Sequence, residues 1–308
     1  MESVLECLPR GSRVAILRLR SLGDSVLTTP ALDILKHARP DLRVAVMVED
    51  RFRAIFEGNS DIDEILPPEV GALRRMAPRL CLNLHGGTRS AWMTALSGAG
   101  YRAGFGHFRH QFVYNVRIPR AQQILGVERK VHTAEHVASA MFYLGAPRCE
   151  IPRAKCGTGG GTGLQACGTP AGTPVLHPFA SIPDKTWAVD RFLAIAQHLK
   201  QSGTDPIFIG GPGDDLSPFR AFRTLSDAPL AEIQQLLASA SLFVGNDSGP
   251  AHIAAAFGVP VVVIFGASDP AIWGPWRTAS EIVTAPRGIA HVETGQVLDA
   301  LTRLRVHA

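Results

Sequence analysis

Apolar residues in this chain fall into short unbroken runs, separated by stretches where they recur at helical spacing. Val14-Ala15-Ile16-Leu17, Val44-Ala45-Val46-Met47-Val48 and Leu80-Cys81-Leu82 mark the first half. Val175-Leu176, Ile207-Phe208-Ile209 and Val261-Val262-Val263-Ile264-Phe265 mark the second. Runs without apolar–polar alternation predict strands buried on both faces, as in a parallel sheet. Between them, the pattern predicts helices over 30–35, 52–57, from Ala91, and over 132–145, 189–201, 230–239 and 292–304. Pro30 is expected to open its helix or sit in its first turn, and the residues from Arg20 to Ser25 to form a loop. Strand–helix alternation of this kind predicts an α/β fold with doubly wound parallel sheets.

One segment breaks the alternation. Residues 155–173 are rich in Gly and Thr with little apolar periodicity, which predicts a linker. It divides the chain into 1–154 and 174–308. Its glycines do not complete GxGxxG and no strand precedes them, so a dinucleotide fingerprint is excluded there. The first βα turn lacks the fingerprint too, which removes NAD-dependent oxidoreduction.

Composition narrows the class. The 308 residues suit two domains, and 46% hydrophobic with 19% charged residues describes a globular protein with a large core. The net charge of +4 permits an anionic substrate or membrane surface, and no block of like charge suggests a nucleic-acid arm. Five cysteines (7, 81, 149, 156, 167) without a CxxC pair fit a reducing cytoplasm better than a disulfide framework or a zinc site. The N-terminus lacks a signal-peptide pattern. The most apolar stretch, 253–267, is broken by Gly258 and Pro260 and is too short to span a membrane. His132 and His136 share a helix face, but HTAEH is not HExxH and no third ligand is evident, so no metal is expected.

Three places carry candidate chemistry. In Phe243 to Gly266, a strand end, a small-residue turn and a helix opened by Pro250 form a helix N-terminus at the carboxyl end of a parallel strand. Such a terminus binds anions, phosphate above all. Ser248, Gly249 and Ala251 would supply backbone donors, and His252 lies in the first turn. The competing reading is an ordinary capped helix. Asp24 follows the first strand, where doubly wound sheets bind ligands; it reads either as a general base or as a helix cap. Lys185 precedes a helix and reads by spacing alone as a solvated lysine.

Asn246-Asp247-Ser248-Gly249-Pro250-Ala251-His252, followed by residues 254–260 and then Phe265-Gly266, Pro270, Trp273, Pro275 and Trp276, resembles the C-terminal signature of the heptosyltransferases of glycosyltransferase family 9. Arg18-Leu19-Arg20-Ser21-Leu22-Gly23-Asp24 with Pro30-Ala31-Leu32 resembles the N-terminal motif of that family, and HPFASIPDKTW (177–187) its HPxA…KxW motif. The resemblance implies a GT-B architecture, two Rossmann-like domains facing a cleft, with the last helix crossing back towards the first domain. It implies inverting transfer of heptose from ADP-heptose to a lipopolysaccharide core acceptor, without cofactor or metal. Asp24 would be the catalytic base. Lys185, with Ser181, Asp247, Ser248, Gly249 and His252, would bind the donor. Thr88, Arg89 and Ser90 would face the acceptor, and Asp214 or Asp215 falls near a ribose-binding position. Contact with the inner membrane would be peripheral; the basic, aromatic segment 107–120 reads first as a solvated loop and second as an edge that meets an anionic lipid head group. Phe179 stands where the family commonly has glycine. Another nucleotide-sugar donor or acceptor, or a nucleotide-binding homologue without transfer, are the alternatives.

Overall fold

A computed structural model of the protein describes residues 2–157 and 172–306. Most of the Gly-rich segment, with Cys167, lies outside the described residues. The chain divides into two units, with the boundary at Gly157/Thr158.

The first unit runs α1 (Val4–Cys7), β1 (Arg13–Leu17), α2 (Leu22–Ala38), β2 (Arg43–Met47), β3 (Glu64–Leu66), α3 (Val70–Met76), β4 (Leu80–Asn83), α4 (Thr88–Ala95), β5 (Tyr101–Phe105), β6 (Val116–Ile118), α5 (Ala121–Leu125) and α6 (Thr133–Leu144). Its strands form one parallel sheet in the order β3-β2-β1-β4-β5-β6. β1 and β2 are exposed only at their first residue, and β4 is buried throughout, which is why they read as unbroken apolar runs.

Helix α2 begins eight residues before Pro30, so Pro30 lies inside it and the expected loop at 20–25 is mostly helical. A helical proline leaves the carbonyl four residues back without its N–H. Here the Thr29 hydroxyl donates to that carbonyl, Val26 O, at 2.8 Å. The helix expected over 52–57 is a 3-10 turn, Asp50–Ile55. The His pair at 132 and 136 has ordinary duties. His132 caps α6 in a capping box with Glu135, and His136 stacks on Phe105 with ring centroids 4.0 Å apart.

The second unit runs β7 (Val175–His177), α7 (Val189–Gln201), β8 (Ile207–Gly210), β9 (Arg223–Ser226), α8 (Leu230–Ala238), β10 (Phe243–Asn246), α9 (Gly249–Ala256), β11 (Val261–Ile264), α10 (Pro270–Trp273), β12 (Ser280–Val283) and α11 (Thr294–Val306). Its parallel sheet has the order β12-β11-β10-β7-β8-β9. Counted from each unit's first strand, both sheets follow the doubly wound order 3-2-1-4-5-6. Trp187, Phe192, Phe208 and Phe219 fill the second core, and the Trp187 indole N–H donates to Val292 O at 2.8 Å. Helix α11, expected to cross back, packs on α7, β11 and β12. Its apolar face, Val297, Ala300, Leu301 and Leu304, is buried in that core.

Each sheet reverses its winding between two strands: β1 and β4 in the first unit, β7 and β10 in the second. The loops after these strands are where such sheets open a ligand crevice.

Candidate active site

In the first unit, Asp24 is the third residue of α2 and Ser21 is the N-cap, so Asp24 does not cap the helix. The Ser21 hydroxyl donates to its Oδ2 at 3.0 Å, and Arg18 Nη1 lies 3.4 Å from its Oδ1. Arg18 is buried, with its Nε donating to Thr28 Oγ1 at 3.0 Å, and burial makes it easier to deprotonate than usual. The pair therefore presents a partly exposed carboxylate against a fixed cation. His85, after β4, completes the group. Its Nδ1 lies 3.1 Å from Arg20 O, and burial together with the Arg18 charge lowers its pKa. His136 is pushed down to about 4 by burial, then by His107 and Arg18. Both imidazoles are therefore harder to protonate than a free histidine. Arg18 lies in the N-terminal motif without a role read for it, and motif reading passes over His85; the signal for His85 is its place immediately after a switch-point strand.

The loop after β4 is pinned by Asn83. Its buried side chain accepts from His85 N and Gly86 N, both at 3.0 Å, and donates to Ser90 Oγ and to the Tyr114 hydroxyl. Tyr114 lies over Gly104, where an added Cβ would come within 2.6 Å of the ring, so the strand accepts the ring only because it carries glycine there. Of the three residues expected to face the acceptor, Ser90 is fully buried and donates to Gly87 O, so it is a structural brace and not a surface contact. Thr88 and Arg89 are exposed. Thr88 Oγ1 pairs with His110 Nε2 at 3.0 Å, and Arg89 donates to Pro68 O at 2.8 Å with Glu49 at 4.0 Å.

In the second unit, the loop carrying Ser181 and Lys185 is tied to the ends of β10 and β11. Trp187 N donates to Asn246 Oδ1 at 3.1 Å, and Ala267 N donates to Asp184 O at 3.2 Å. Gly266 permits this approach: a Cβ there would lie 1.9 Å from Asp184 O. Lys185 Nζ consequently reaches Asp247 Oδ2 at 2.8 Å, and the Ser268 hydroxyl donates to the same oxygen. Lys185 is not a solvated surface lysine; its side chain is 24% exposed and that of Asp247 only 7%. The Asp247 carboxylate is turned onto Lys185, so it positions the ammonium; a carboxylate facing a diphosphate would repel it.

Ser248 is the N-cap of α9, but its side chain makes no cap bond and instead meets His177 Nδ1 at 3.0 Å across the switch point. Ala251 N–H is turned onto Ser248 O at 3.2 Å, contrary to its expected role as a free donor. The N–H groups of Ser248 and Gly249 have no partner among the described residues. His252 is buried behind this turn, and Ser181 is exposed on the loop opposite. Phe179 turns inward, edge-on to His177 and Phe219. Asp214 and Asp215 accept from Gly211 N and Ser217 N, as turn-bracing carboxylates.

Burial lowers the His177 pKa from 6.5 to about 4. The unfolded chain therefore binds this proton between those values and the folded chain does not. Stability is full above pH 6.5 and falls as the pH drops towards 4, by roughly 3 kcal/mol from this residue. Urea unfolding at stepped pH should show that loss, and His177→Gln should lose less over the same range; equal slopes would refute the assignment.

Two doubly wound parallel sheets, each with polar loops at its switch point, are the architecture of the GT-B fold. Sequence comparison gives the family: residues 71–299 match the model of glycosyltransferase family 9 (heptosyltransferase), and the chain belongs to it. Lipopolysaccharide heptosyltransferase 3 of Escherichia coli K12 is 28% identical over 294 residues, covering 84% of this chain and 83% of that protein. Among solved structures, the glycosyl transferase family 9 protein of Veillonella parvula DSM 2008 superposes with a TM-score of 0.82 at 19% identity, covering 96% of this chain and 98% of its own. The E. coli heptosyltransferase WaaC with ADP gives 0.78 at 19% identity, covering 95% and 99%. Asp24 lies ahead of the family-matched segment, so its assignment rests on its geometry and on the Arg18–Asp24 motif.

Proposed function

We propose that the protein transfers heptose, with inversion, from ADP-heptose to a lipopolysaccharide core acceptor. The observation that carries this reading is the second unit's phosphate cradle: Lys185 held by Asp247 beside the unpartnered N–H groups of Ser248 and Gly249. Family membership and the relatives named above support the donor and acceptor classes. Asp24 takes the proton from the acceptor hydroxyl as that oxygen bonds to the anomeric carbon. The bond from that carbon to the diphosphate breaks with the electron pair leaving on ADP. Lys185 and the helix terminus offset the charge that builds there. Ser181 and His252 belong to the same donor side, and Thr88 and Arg89 to the acceptor side.

No described helix is long and apolar enough to cross a membrane. For a lipid-linked acceptor we assign peripheral contact at the cytoplasmic leaflet. The exposed Trp92 and Phe112, edge-to-face at 6.4 Å, are the candidate contact, with Arg89 one helical turn from Trp92.

The test is ADP release from ADP-heptose in the presence of heptose-deficient lipopolysaccharide. Release that requires both substrates, with heptose recovered on the acceptor, is the expected result. ADP binding without release for any such acceptor would refute heptose transfer and leave a nucleotide-binding protein.

A further inference from the structure

The first unit carries a second concave site, running from Arg13 and Arg43 at the amino-terminal ends of β1 and β2 to Leu66 and Pro67 at the end of β3. A cavity of about 850 Å³ lies between α3 and the β1–β2–β3 face. Its volume is that of a small-molecule pocket. Small residues make the room: Ala45 on β2 and Ala72 on α3 leave space that larger side chains would fill. Leu66 and Met76 complete an apolar floor.

The rim is cationic. Arg13 and Arg43 are register partners on adjacent parallel strands and project from the same face, with their backbones roughly 4.8 Å apart. Arg75 joins them from α3. Like charges placed side by side on a sheet repel, so the pairing is unfavourable unless something offsets it. The protein offsets part of it, since the Arg43 charge is felt at Asp63. Asp63 is engaged by Lys36 Nζ and by Val44 N, both at 2.7 Å. Arg13 donates to Met76 O at 2.7 Å. The side chains of Arg43 and Arg75 make no hydrogen bond or ion pair among the described residues, although Glu64 also lines the cavity. Three planar guanidinium groups over an apolar floor match a multiply charged oxyanion, since each fork accepts two oxygens.

We propose that this cavity binds a phosphate-bearing anion, at a site separate from the loops that carry Asp24. Those loops follow the carboxyl ends of the strands, whereas Arg13 and Arg43 begin them, roughly 15 Å away at strand rise. The phosphate comes either from a soluble metabolite or from an anionic lipid headgroup.

Calorimetric titration with inorganic pyrophosphate, and flotation with phosphatidylglycerol vesicles, separate the two sources. Wild type, Arg43→Gln/Arg75→Gln and Lys185→Ala are compared. The expected result is binding that persists in Lys185→Ala and weakens at least about tenfold in the arginine double variant. Loss of pyrophosphate binding assigns a soluble anion; loss of vesicle binding assigns a headgroup. If both probes bind the double variant as they bind wild type, or neither binds wild type beyond a Lys185-dependent event, the proposal fails. Arg43 and Arg75 make no hydrogen bond among the described residues, and Arg43 acts on Asp63 only through its charge, so a small change in thermal midpoint is expected; single Arg75→Gln is the fallback if the double variant does not fold. Failure of the donor-site reading would abolish only the Lys185-dependent event.

Discussion

Asp24→Asn is expected to lower kcat by about a thousandfold while ADP affinity is retained. The substitution keeps the side chain's size and an oxygen that still accepts from Ser21, but removes the base and the counter-charge of Arg18. Leaving a buried cation without its partner destabilises the fold; here about 1–2 kcal/mol is expected, because Asp24 is partly exposed and sits 3.4 Å from the guanidinium. A modest drop in thermal midpoint together with a large drop in kcat separates the base from the brace. Asp24→Glu restores charge but displaces it by about one carbon–carbon bond, and misplacement of that order costs about a hundredfold. The rival base is His85, whose pKa is lowered by burial and by the Arg18 charge. If Asp24→Asn turns over normally and His85→Ala does not, the roles are reversed.

Much of the fold was legible because parallel strands buried on both faces cannot alternate: 14–17, 44–48 and 261–265 announce themselves by apolar continuity. Short edge elements were not. β6 and β9 carry exposed residues and lack that continuity. The start of α2 was hidden by Pro30, since local rules put proline at a helix entrance and the compensating Thr29 hydroxyl is visible only in three dimensions. The same division holds at the candidate site. The positions of Asp24 and Lys185 followed from motifs, but their settings did not. That Asp247 faces Lys185 depends on contact between residues 62 apart, and that Ser90 is buried depends on Asn83 at the end of β4 and on Tyr114 from the loop before β6. Arg18 opens the Arg18–Asp24 motif but His85 belongs to none; the sheet's reversal between β1 and β4 brings them together.

Lys185→Ala is expected to lower kcat/KM by about a hundred- to a thousandfold, or ~3–4 kcal/mol of transition-state stabilisation, the usual consequence of removing a fixed donor from developing charge. The loss has two sources. One is the ammonium itself, aimed at the helix N-terminus where the leaving diphosphate gathers charge. The other is Asp247, whose carboxylate is nearly buried and bound to Lys185 at 2.8 Å. Without the lysine it remains as an uncompensated anion, held by Ser268 and Asp247's own strand-end position, facing an incoming anion. Removing both charges should therefore hurt less than removing the lysine alone. Lys185→Ala/Asp247→Asn is expected to recover part of the ADP affinity lost in Lys185→Ala, a coupling of opposite sign to simple additivity. Asp247→Asn alone should lower kcat/KM while the ammonium remains, because Lys185 loses its anchor and not its charge. The measurements are ADP dissociation constants and kcat/KM for the four proteins of this cycle. Independent, additive losses would mean that Asp247 contacts the donor directly and that the ion pair is incidental to it.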